Sequence, residues 1–499
     1  MQFERSEDIF DGRRSKIVCT LGPSTDAEEV LGQLIEDGMD AARLNFSYGE
    51  VSQHLARIEM LQRLQKKVQR PISLIVDLPG RKVRVGALEG DCVRLETGRK
   101  VELIADDGRL GNSDVIPVNE WFFSENMAGG DKHLLSEGLV ELRTTAVKGD
   151  RVEAIVVQGG LVTQRTALHT PGMPLRGDPL TERDLQILKA AVDHDADYVA
   201  LSYIADAADI LVAREHLAEL GSNIPIIAKI ERPEAIARFD GILRRADAVM
   251  IRRGDLGAEI EVTRIPLVQK RMLRLATEAG VPVIIATQML SSMLESPRPT
   301  RAEASDVSNA IFDGADGVLL SAETAIGKFP REAASMMNRI IVATERERRL
   351  ETAATPPPRQ SRTGFADAVA GVACRAAVKA GAKLIACFTE SGRTAQLVAK
   401  YRPQVPILAF CSNERTRRRL TLYWGIRSDG LGPINDVEDM IRRVEARLVE
   451  RGLVRRGDRI VVVFGAPMGQ LGSTNSVRLH EIGTSPGRAK AVDVPVQPV

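Results

Sequence analysis

Short apolar runs alternate with longer helical segments along most of this chain, and this alternation most constrains the fold. Between residues 16 and 320 there are eight strand-like runs, most of them followed by a segment rich in Ala, Leu, Glu and Arg. Such alternation is typical of a parallel sheet covered by helices, and eight βα units predict a TIM (β/α)8 barrel. The eight runs span residues 16–21, 41–46, 72–78, 198–203, 224–230, 248–251, 281–287 and 317–320.

The main alternative to a barrel is an open, doubly wound sheet. Dinucleotide-binding sheets of that type carry G-x-G-x-x-G after the first strand, whereas this chain continues with Gly22 and Pro23, so the pattern favours the barrel. After the third run the helical periodicity stops. Short alternating pieces with Gly and Asp turns replace it, which predicts an inserted small β-barrel lid domain.

These patterns predict an α/β protein with several domains. The barrel domain occupies residues 1–86 and 171–349, with the lid at 87–170 between its two parts. A Pro-rich linker over 350–364 leads to a C-terminal α/β domain at 365–484 and a tail at 485–499. The net charge of +1 argues against nucleic-acid binding. No apolar run approaches membrane-spanning length, and the five cysteines form no C-x-x-C pair, so we expect reduced thiols and a cytoplasmic location without membrane partners.

Polar and charged side chains follow six of the eight runs. Barrel active sites lie at the carboxyl ends of the strands, so these residues should meet at one rim. They are Arg43, Asn45, Ser47, Asp77, Lys82, Arg84, Lys229, Glu231, Asp255, Thr287, Gln288, Ser321, Glu323 and Thr324. Taken alone, the K-x-E pair of Lys229 and Glu231 reads as an exposed ion pair, which is common and contributes little. As a set, the residues predict a site.

The residue types at this rim suit phosphoryl transfer. Glu231 and Asp255 offer the hard oxygen ligands that Mg²⁺ prefers. Arg43 and Lys229 can spread the charge of a migrating phosphoryl group. Gly254 leaves backbone N–H groups accessible ahead of a predicted helix, where an anion such as a carboxylate can bind.

Longer stretches give the chain a family resemblance. It resembles the pyruvate kinase family along nearly its whole length, in KIVCTLGPST (16–25), ARLNFSYG (42–49), IIAKIERPEAI (226–236), RRGDLGAE (252–259), the run at 284–330 and TESGRTAQLVAKYRP (389–403). The resemblance implies a barrel, a lid and a C-terminal domain in a homotetramer. It also implies transfer of the phosphoryl group of phosphoenolpyruvate to ADP, giving pyruvate and ATP in the last step of glycolysis.

The resemblance assigns roles at the matching positions. It implies that Arg43, Lys229 and Thr287 are catalytic and bind the substrate together with Gly254 and Asp255. It further implies that Asn45 and Arg84 face the nucleotide phosphates. Glu231 and Asp255 are implied to bind Mg²⁺ or Mn²⁺. Two other barrel-based interpretations stay open: a silent paralogue that only binds phosphometabolites, and a carboxylating or mutase enzyme acting on phosphoenolpyruvate.

The stretch after the third run departs from the family pattern. Potassium-dependent members read D-T-K-G-P-E-I-R where this chain reads DLPGRKVR, so Lys82 replaces a glutamate. The monovalent-cation site of those members corresponds to Asn45, Ser47, Asp77 and Leu78. We therefore predict that Lys82 substitutes for K⁺ and that no monovalent cation is required. The alternative is a solvent-exposed lysine of no consequence. Tyr48, Arg232 and Arg252 also differ from the usual His, Asn and Ala, and the nucleotide lysine of the lid aligns with Arg165 or Thr166.

The C-terminal domain contains a candidate phosphate loop. Hydroxyl and glycine N–H groups at the start of a helix bind phosphate. The loop resembles the effector loop of the family, and Thr474 and Asn475 could lie nearby. Its residues are Thr389, Ser391, Gly392, Arg393 and Thr394. We predict a sugar phosphate or a nucleoside monophosphate as allosteric effector, and not the fructose-bisphosphate type, because neither Trp121 nor Trp424 falls clearly where that type has its tryptophan.

Overall fold

The fold was analysed in a computed structural model, which describes residues 12–119, 126–173, 178–351, 364–432, 434–467 and 474–484. Most of the predicted linker and all of the predicted tail lie outside these ranges. Contacts divide the chain into two compact units. Residues 15–348 form one unit, and the residues on either side of that segment form the other.

The first unit is built on a closed barrel of eight parallel strands. The strand that begins at Lys16 pairs with the last barrel strand on one side and the second on the other, which closes the ring. Closure confirms the predicted barrel and excludes the open sheet. Each predicted run agrees with an observed strand to within two residues at either end. The strands are Lys16–Thr20, Ala41–Asn45, Ser73–Asp77, Tyr198–Leu201, Ile226–Ile230, Ala248–Arg252, Val283–Ala286 and Gly317–Leu320.

Helices cover the outside of the barrel strands. Thr181 begins one of them, where its hydroxyl accepts the backbone N–H of Asp184 at 3.1 Å. The segment that follows the fifth strand forms two short helices that meet at Arg238. The helices are Glu28–Glu36, Val51–Val68, Glu182–Asp193, Ala207–Glu219, Pro233–Ala237, Phe239–Leu243, Arg253–Glu259, Ile265–Ala279, Arg301–Phe312, Ala322–Ala325 and Pro330–Glu351.

The insert after the third strand is an all-β domain with an apolar core of its own. Five strands form one curled sheet: Lys100–Ala105, Val115–Val118, Lys132–Leu135, Val140–Lys148 and Arg151–Gln158. Cys92–Leu95 and Gly160–Thr163 form a second, two-stranded sheet. The predicted β insert is thereby confirmed, and its return to the barrel brings His169 to the rim, as described below.

The second unit is a five-stranded sheet with helices. Its strands are Leu384–Phe388, Ile407–Cys411, Ile426–Gly430, Arg459–Gly465 and Thr474–Glu481, of which only the last runs antiparallel. Its helices are Phe365–Lys379, Arg393–Lys400, Glu414–Arg419 and Val437–Glu450. None of the helices within the described ranges of either unit is long and apolar enough to cross a membrane.

Candidate active site

Seven charged side chains of alternating sign form a continuous series of ion pairs at the carboxyl ends of the barrel strands. We call this series the ion-pair chain, and in order it consists of Arg43, Asp77, Lys229, Glu231, Arg252, Asp255 and Lys82. The series begins and ends with a cation, so four cations face three carboxylates. The surplus positive charge favours binding of an anion at this rim.

Asp77 is the second member of this chain, between Arg43 and Lys229, and it is fully buried. Its Oδ2 accepts from Arg43 Nε at 2.6 Å and its Oδ1 from Lys229 Nζ at 2.9 Å. Burial alone would raise the pKa of this carboxyl, but Arg43 and Lys229 outweigh it and lower the pKa to about 2. Both cations are also held by hydroxyls, Arg43 by Thr20 at 3.0 Å and Lys229 by Ser202. The two cations therefore have fixed positions before any ligand arrives.

Replacing Asp77 with Asn should make the free energy of unfolding depend less on pH below about pH 4. In the folded protein the Asp77 pKa of about 2 lies below the ordinary value of 3.8. The charged Asp77 carboxylate therefore stabilises the folded state fully above about pH 4, and this stabilisation disappears as the pH falls through 2. A shift of this size corresponds to about 2 kcal/mol. We expect urea unfolding of the barrel unit between pH 2 and pH 5 to lose that much pH dependence in D77N.

The matched control for D77N is Asp206→Asn. Asp206 pairs with Arg238 at 2.9 Å, and the arginine side chain is 58% exposed. Loss of the Asp206 charge should therefore leave the pH dependence of the unfolding free energy unchanged. If the unfolding free energies of wild type and D77N changed equally with pH between pH 2 and pH 5, Asp77 would not have a pKa near 2.

Glu231 and Asp255 form the carboxylate pair at the other end of the chain. Glu231 Oε2 accepts the backbone N–H of Tyr203 at 2.8 Å, while Lys82 Nζ donates to Asp255 Oδ1. Burial would raise the pKa of Asp255, but Arg252 and Lys82 hold it well below its usual range. The Asp255 carboxylate is thus charged, as a ligand for a divalent cation must be.

One oxygen of this pair has the properties of a metal ligand. Asp255 Oδ2 is buried, and among the described residues it accepts no hydrogen bond, although Arg252 Nε lies 3.0 Å away. A buried acceptor without a donor is costly, and a bound cation relieves that cost. Across the described residues, no group of three or more His, Cys, Asp or Glu side chains is arranged to hold a metal. The residues therefore fit an ion bound by two carboxylates, which needs substrate oxygens or water for its other ligands.

Thr287 lies at the end of the seventh strand in an unusual backbone conformation. Its φ is +72° and that of Gln288 is +54°, values that are rare for non-glycine residues. Arg253 supports both, because its NH2 donates to the Thr287 carbonyl at 2.8 Å and to the Gln288 carbonyl at 3.2 Å. The Gly254 N–H donates to Thr287 Oγ1 at 2.8 Å. The Thr287 hydroxyl is thereby held against the start of the helix Arg253–Glu259, at the residue before Asp255.

The remaining residues predicted around the cation site have hydrogen-bond partners of their own. Asn45 Oδ1 accepts the Ser47 N–H at 3.2 Å, and the Leu78 carbonyl accepts from Ser202 Oγ at 2.6 Å. Within the described ranges, no hydrogen bond or ion pair joins Lys82 to these residues or to Asp77. Lys82 is buried rather than solvent-exposed, and burial lowers its pKa. Its ammonium is directed at the metal-ligand candidate Asp255.

The two residues predicted to face a nucleotide lie towards the lid. Arg84 places its guanidinium 5.4 Å from the centre of the Tyr48 ring and donates to the Arg165 carbonyl at 3.0 Å. Asn45 lies three residues before Tyr48. Burial would raise the pKa of Tyr48, but Arg84, Lys82 and Arg252 together lower it. This side of the rim is therefore also cationic.

Several residues at the rim were not predicted, among them Ser202, Tyr203 and His169. Ser202 and Tyr203 follow the fourth strand, and applying the strand-end rule to that strand would have found them. His169 gave no sequence signal, because the returning lid segment brings it into place: its Nε2 lies 3.7 Å from Asp255 Oδ1 and its Nδ1 3.2 Å from the Tyr203 hydroxyl. Two predicted rim residues, Glu323 and Thr324, instead bond the neighbouring backbone.

The candidate effector loop is formed within the second unit. Gly392 adopts a φ of +88° directly before the helix that begins at Arg393. Thr394 Oγ1 lies 2.7 Å from Thr474 Oγ1, so the expected approach of residue 474 to the loop is observed. Thr389 and Ser391 precede the helix, with the Thr389 N–H bonded to the Phe410 carbonyl at 3.0 Å.

Comparison with known proteins agrees with this arrangement. Residues 12–334 match the family model described as pyruvate kinase, barrel domain, and residues 367–480 match the one described as pyruvate kinase, alpha/beta domain. The chain belongs to the pyruvate kinase family. It is accordingly a phosphotransferase, and pyruvate kinase function implies phosphoenolpyruvate and ADP as substrates.

Individual pyruvate kinases resemble the chain over nearly their whole length. That of Mycobacterium intracellulare is 40% identical over 94% of this chain and 99% of its own. That of Corynebacterium glutamicum is 38% identical over 96% and 99%. The crystal structure of a pyruvate kinase from Cryptosporidium parvum superposes with a TM-score of 0.85 at 32% identity, covering 96% of this chain and 98% of that one.

Proposed function

We propose that this rim transfers the phosphoryl group of phosphoenolpyruvate to ADP with Mg²⁺ and without a monovalent cation, under control of a phosphorylated metabolite. The observation that carries the proposal is the ion-pair chain. It places two fixed cations, Arg43 and Lys229, beside two charged carboxylates, Glu231 and Asp255. Phosphoryl transfer requires charge stabilisation and positioning more than covalent chemistry.

The residues of the rim have different roles in the reaction. The bond between phosphorus and the enol oxygen of phosphoenolpyruvate breaks and its electron pair stays on that oxygen, while a terminal oxygen of ADP forms the new P–O bond. The enolate then takes a proton from water at its methylene carbon. We propose that Arg43 and Lys229 bind and stabilise the moving phosphoryl group, and that Lys229 also stabilises the enolate oxygen.

Five residues hold the two substrates. We assign Gly254, Asp255 and Thr287 to the carboxylate end of phosphoenolpyruvate, with the Thr287 hydroxyl near the carbon that is protonated. Asn45 and Arg84 are assigned to the phosphates of ADP. The position of Arg84 against Tyr48, on the lid side of the rim, supports this assignment.

Glu231 and Asp255 are the residues that would hold the magnesium ion. When bound, the ion supplies a Lewis acid for phosphoryl and enolate oxygens. The unpartnered Oδ2 of Asp255 supports this role. Lys82 adds an ammonium to the same carboxylate, and this buried positive charge supports an enzyme that needs no potassium ion.

A coupled assay tests the proposed reaction. Purified protein with phosphoenolpyruvate, ADP and Mg²⁺ should form pyruvate, and EDTA should abolish turnover. A silent paralogue would bind both substrates without turnover. A carboxylating or mutase enzyme would consume phosphoenolpyruvate without ADP, so omission of ADP separates it from a pyruvate kinase.

For the effector loop we expect a sugar phosphate or nucleoside monophosphate to raise the unfolding temperature of the C-terminal domain. Arg393→Ala should weaken that binding at least about tenfold, because a charge-assisted hydrogen bond to phosphate is lost. Titration followed by differential scanning fluorimetry measures the effect. Arg442→Ala, which removes a 59%-exposed arginine from another helix of the domain, is the control. Full phosphate binding by R393A would contradict the prediction.

We further propose a homotetramer that works in the cytoplasm and has no nucleic-acid partner. Light scattering of the purified protein would test the assembly, and a monomer at working concentration would refute it.

A further inference from the structure

Arg252 is the one member of the ion-pair chain without an assigned role. It is the last residue of the sixth barrel strand. Its Nε lies 3.4 Å from Glu231 Oε1 and 3.0 Å from Asp255 Oδ2, between the two carboxylates. The Nε–H does not point along either direction, so the Nε is buried without a hydrogen-bond partner among the described residues. Arg252 is therefore close to both carboxylates and hydrogen-bonded to neither.

Each of the two carboxylates also has a counter-charge other than Arg252. Glu231 already has Lys229 at 3.3 Å and Asp255 already has Lys82. Arg252 is the fourth cation against three carboxylates, and it makes the chain cationic. No nitrogen of its guanidinium donates a hydrogen bond to a residue that the structure describes. A guanidinium has five N–H donors, and its side chain here is 20% exposed, so these donors are available to a ligand.

The charge of Arg252 also acts on both sides of the rim. Burial would raise the pKa of Asp77 and of Tyr48, but neighbouring cations, Arg252 among them, lower both. Asp77 belongs to the side assigned to the phosphoryl group of phosphoenolpyruvate, and Tyr48 contacts Arg84 on the side assigned to ADP. Arg252 therefore acts electrostatically on the sides assigned to both substrates.

We propose that Arg252 is a further catalytic residue, whose guanidinium binds the phosphoryl oxygens as the group passes from phosphoenolpyruvate to ADP. The inference rests on the proposed function of the rim. No bond to Arg252 forms or breaks: it donates hydrogen bonds while phosphorus exchanges the enol oxygen for the ADP oxygen. A planar guanidinium matches these oxygens in a way that a lysine ammonium does not.

Two variants test the role of Arg252. In Arg252→Gln, kcat/KM for phosphoenolpyruvate should fall about 100-fold, as when one donor to developing charge is removed. Arg252→Lys keeps a cation between the carboxylates and should fold like wild type, yet it should still lose most of this activity. Arg238→Gln, at an exposed arginine of the same unit, should change neither rate nor binding.

Binding without metal or turnover gives an independent readout. In EDTA, the dissociation constant of phosphoenolpyruvate should rise about tenfold in R252Q, by the loss of a charged hydrogen bond. Pyruvate, which has no phosphoryl group, should bind the variant and the wild type alike. If wild type itself shows no turnover, the proposed function fails, and this comparison still decides whether Arg252 binds the phosphoryl group.

Two results would overturn the proposal. One is R252K with wild-type kcat/KM, which would make Arg252 only a counter-charge for Glu231 and Asp255. The other is R252Q that binds phosphoenolpyruvate in EDTA as wild type does, with a lower Mg²⁺ requirement as the single change.

Discussion

Lys229→Met should lower kcat for phosphoenolpyruvate and ADP by about 1,000-fold or more, because it removes the buried cation assigned to the phosphoryl group and the enolate. Lys229 Nζ is fixed by Asp77 and Ser202, so it provides preorganised charge that water cannot replace. Methionine has nearly the volume of lysine, and Asp77 keeps its 2.6 Å contact with Arg43. We therefore expect a folded, inactive enzyme, measured by the coupled assay together with circular dichroism.

The control for K229M is Lys270→Met. Lys270 is 56% exposed and pairs with Asp313 on the barrel surface, so its loss should leave kcat unchanged. Because the variant retains Arg43, KM for phosphoenolpyruvate should change much less than kcat. Full turnover by folded K229M would remove Lys229 from the mechanism.

The barrel could be predicted from sequence because its strands are buried on both faces. Such strands read as continuous apolar runs, and residues 226–230 show no exposed position. No continuous apolar run marks Ile426–Gly430 or Thr474–Glu481, the strands at the two edges of the C-terminal sheet. Edge strands are partly solvated, so their sequences are mixed, and IRSDG resembles a turn as much as a strand.

Most of the charged residues of the candidate site could be predicted, but not which of them pair with one another. The strand-end rule collected Arg43, Asp77, Lys229, Glu231 and Asp255 without any distance between them. Which cation meets which carboxylate depends on the register of the closed barrel, for example Asp77 opposite Ala200 and Lys229 opposite Met250. Periodicity cannot supply that register, because it describes one strand at a time.

The lid adds contacts that no local pattern encodes. His169 and Lys82 stand at the two ends of the inserted segment and both reach Asp255. Their neighbours in sequence belong to the lid connections, whereas their neighbours in space belong to the barrel. For Lys82 this difference matters, because its replacement of a family glutamate suggested a potassium substitute, whereas its observed partner is the proposed magnesium ligand.

Lys82→Glu should convert the enzyme from potassium-independent to potassium-dependent. In wild type, the ammonium of Lys82 bonds Asp255, and activity in Tris or Li⁺ buffer should match activity in K⁺ buffer. In K82E a carboxylate would approach Asp255 instead. Two such charges about 4 Å apart repel by roughly 4 kcal/mol at an effective dielectric constant of about 20, and a bound cation relieves this repulsion. We expect K⁺ to stimulate K82E at least about tenfold in the coupled assay.

Two further variants separate a potassium effect from a general loss of charge. Lys82→Met removes the ammonium without adding a carboxylate, and because Arg252 still lies 3.0 Å from Asp255, it should lose activity without gaining a response to K⁺. Lys132→Glu makes the same two-unit charge change on the exposed face of the lid, where the lysine pairs with Glu141, and should not respond to K⁺. Several-fold stimulation of wild type by K⁺ would show that the Lys82 ammonium does not replace the monovalent ion. A K82E that stays equally inactive with and without K⁺ would instead show that this ammonium serves Asp255 alone.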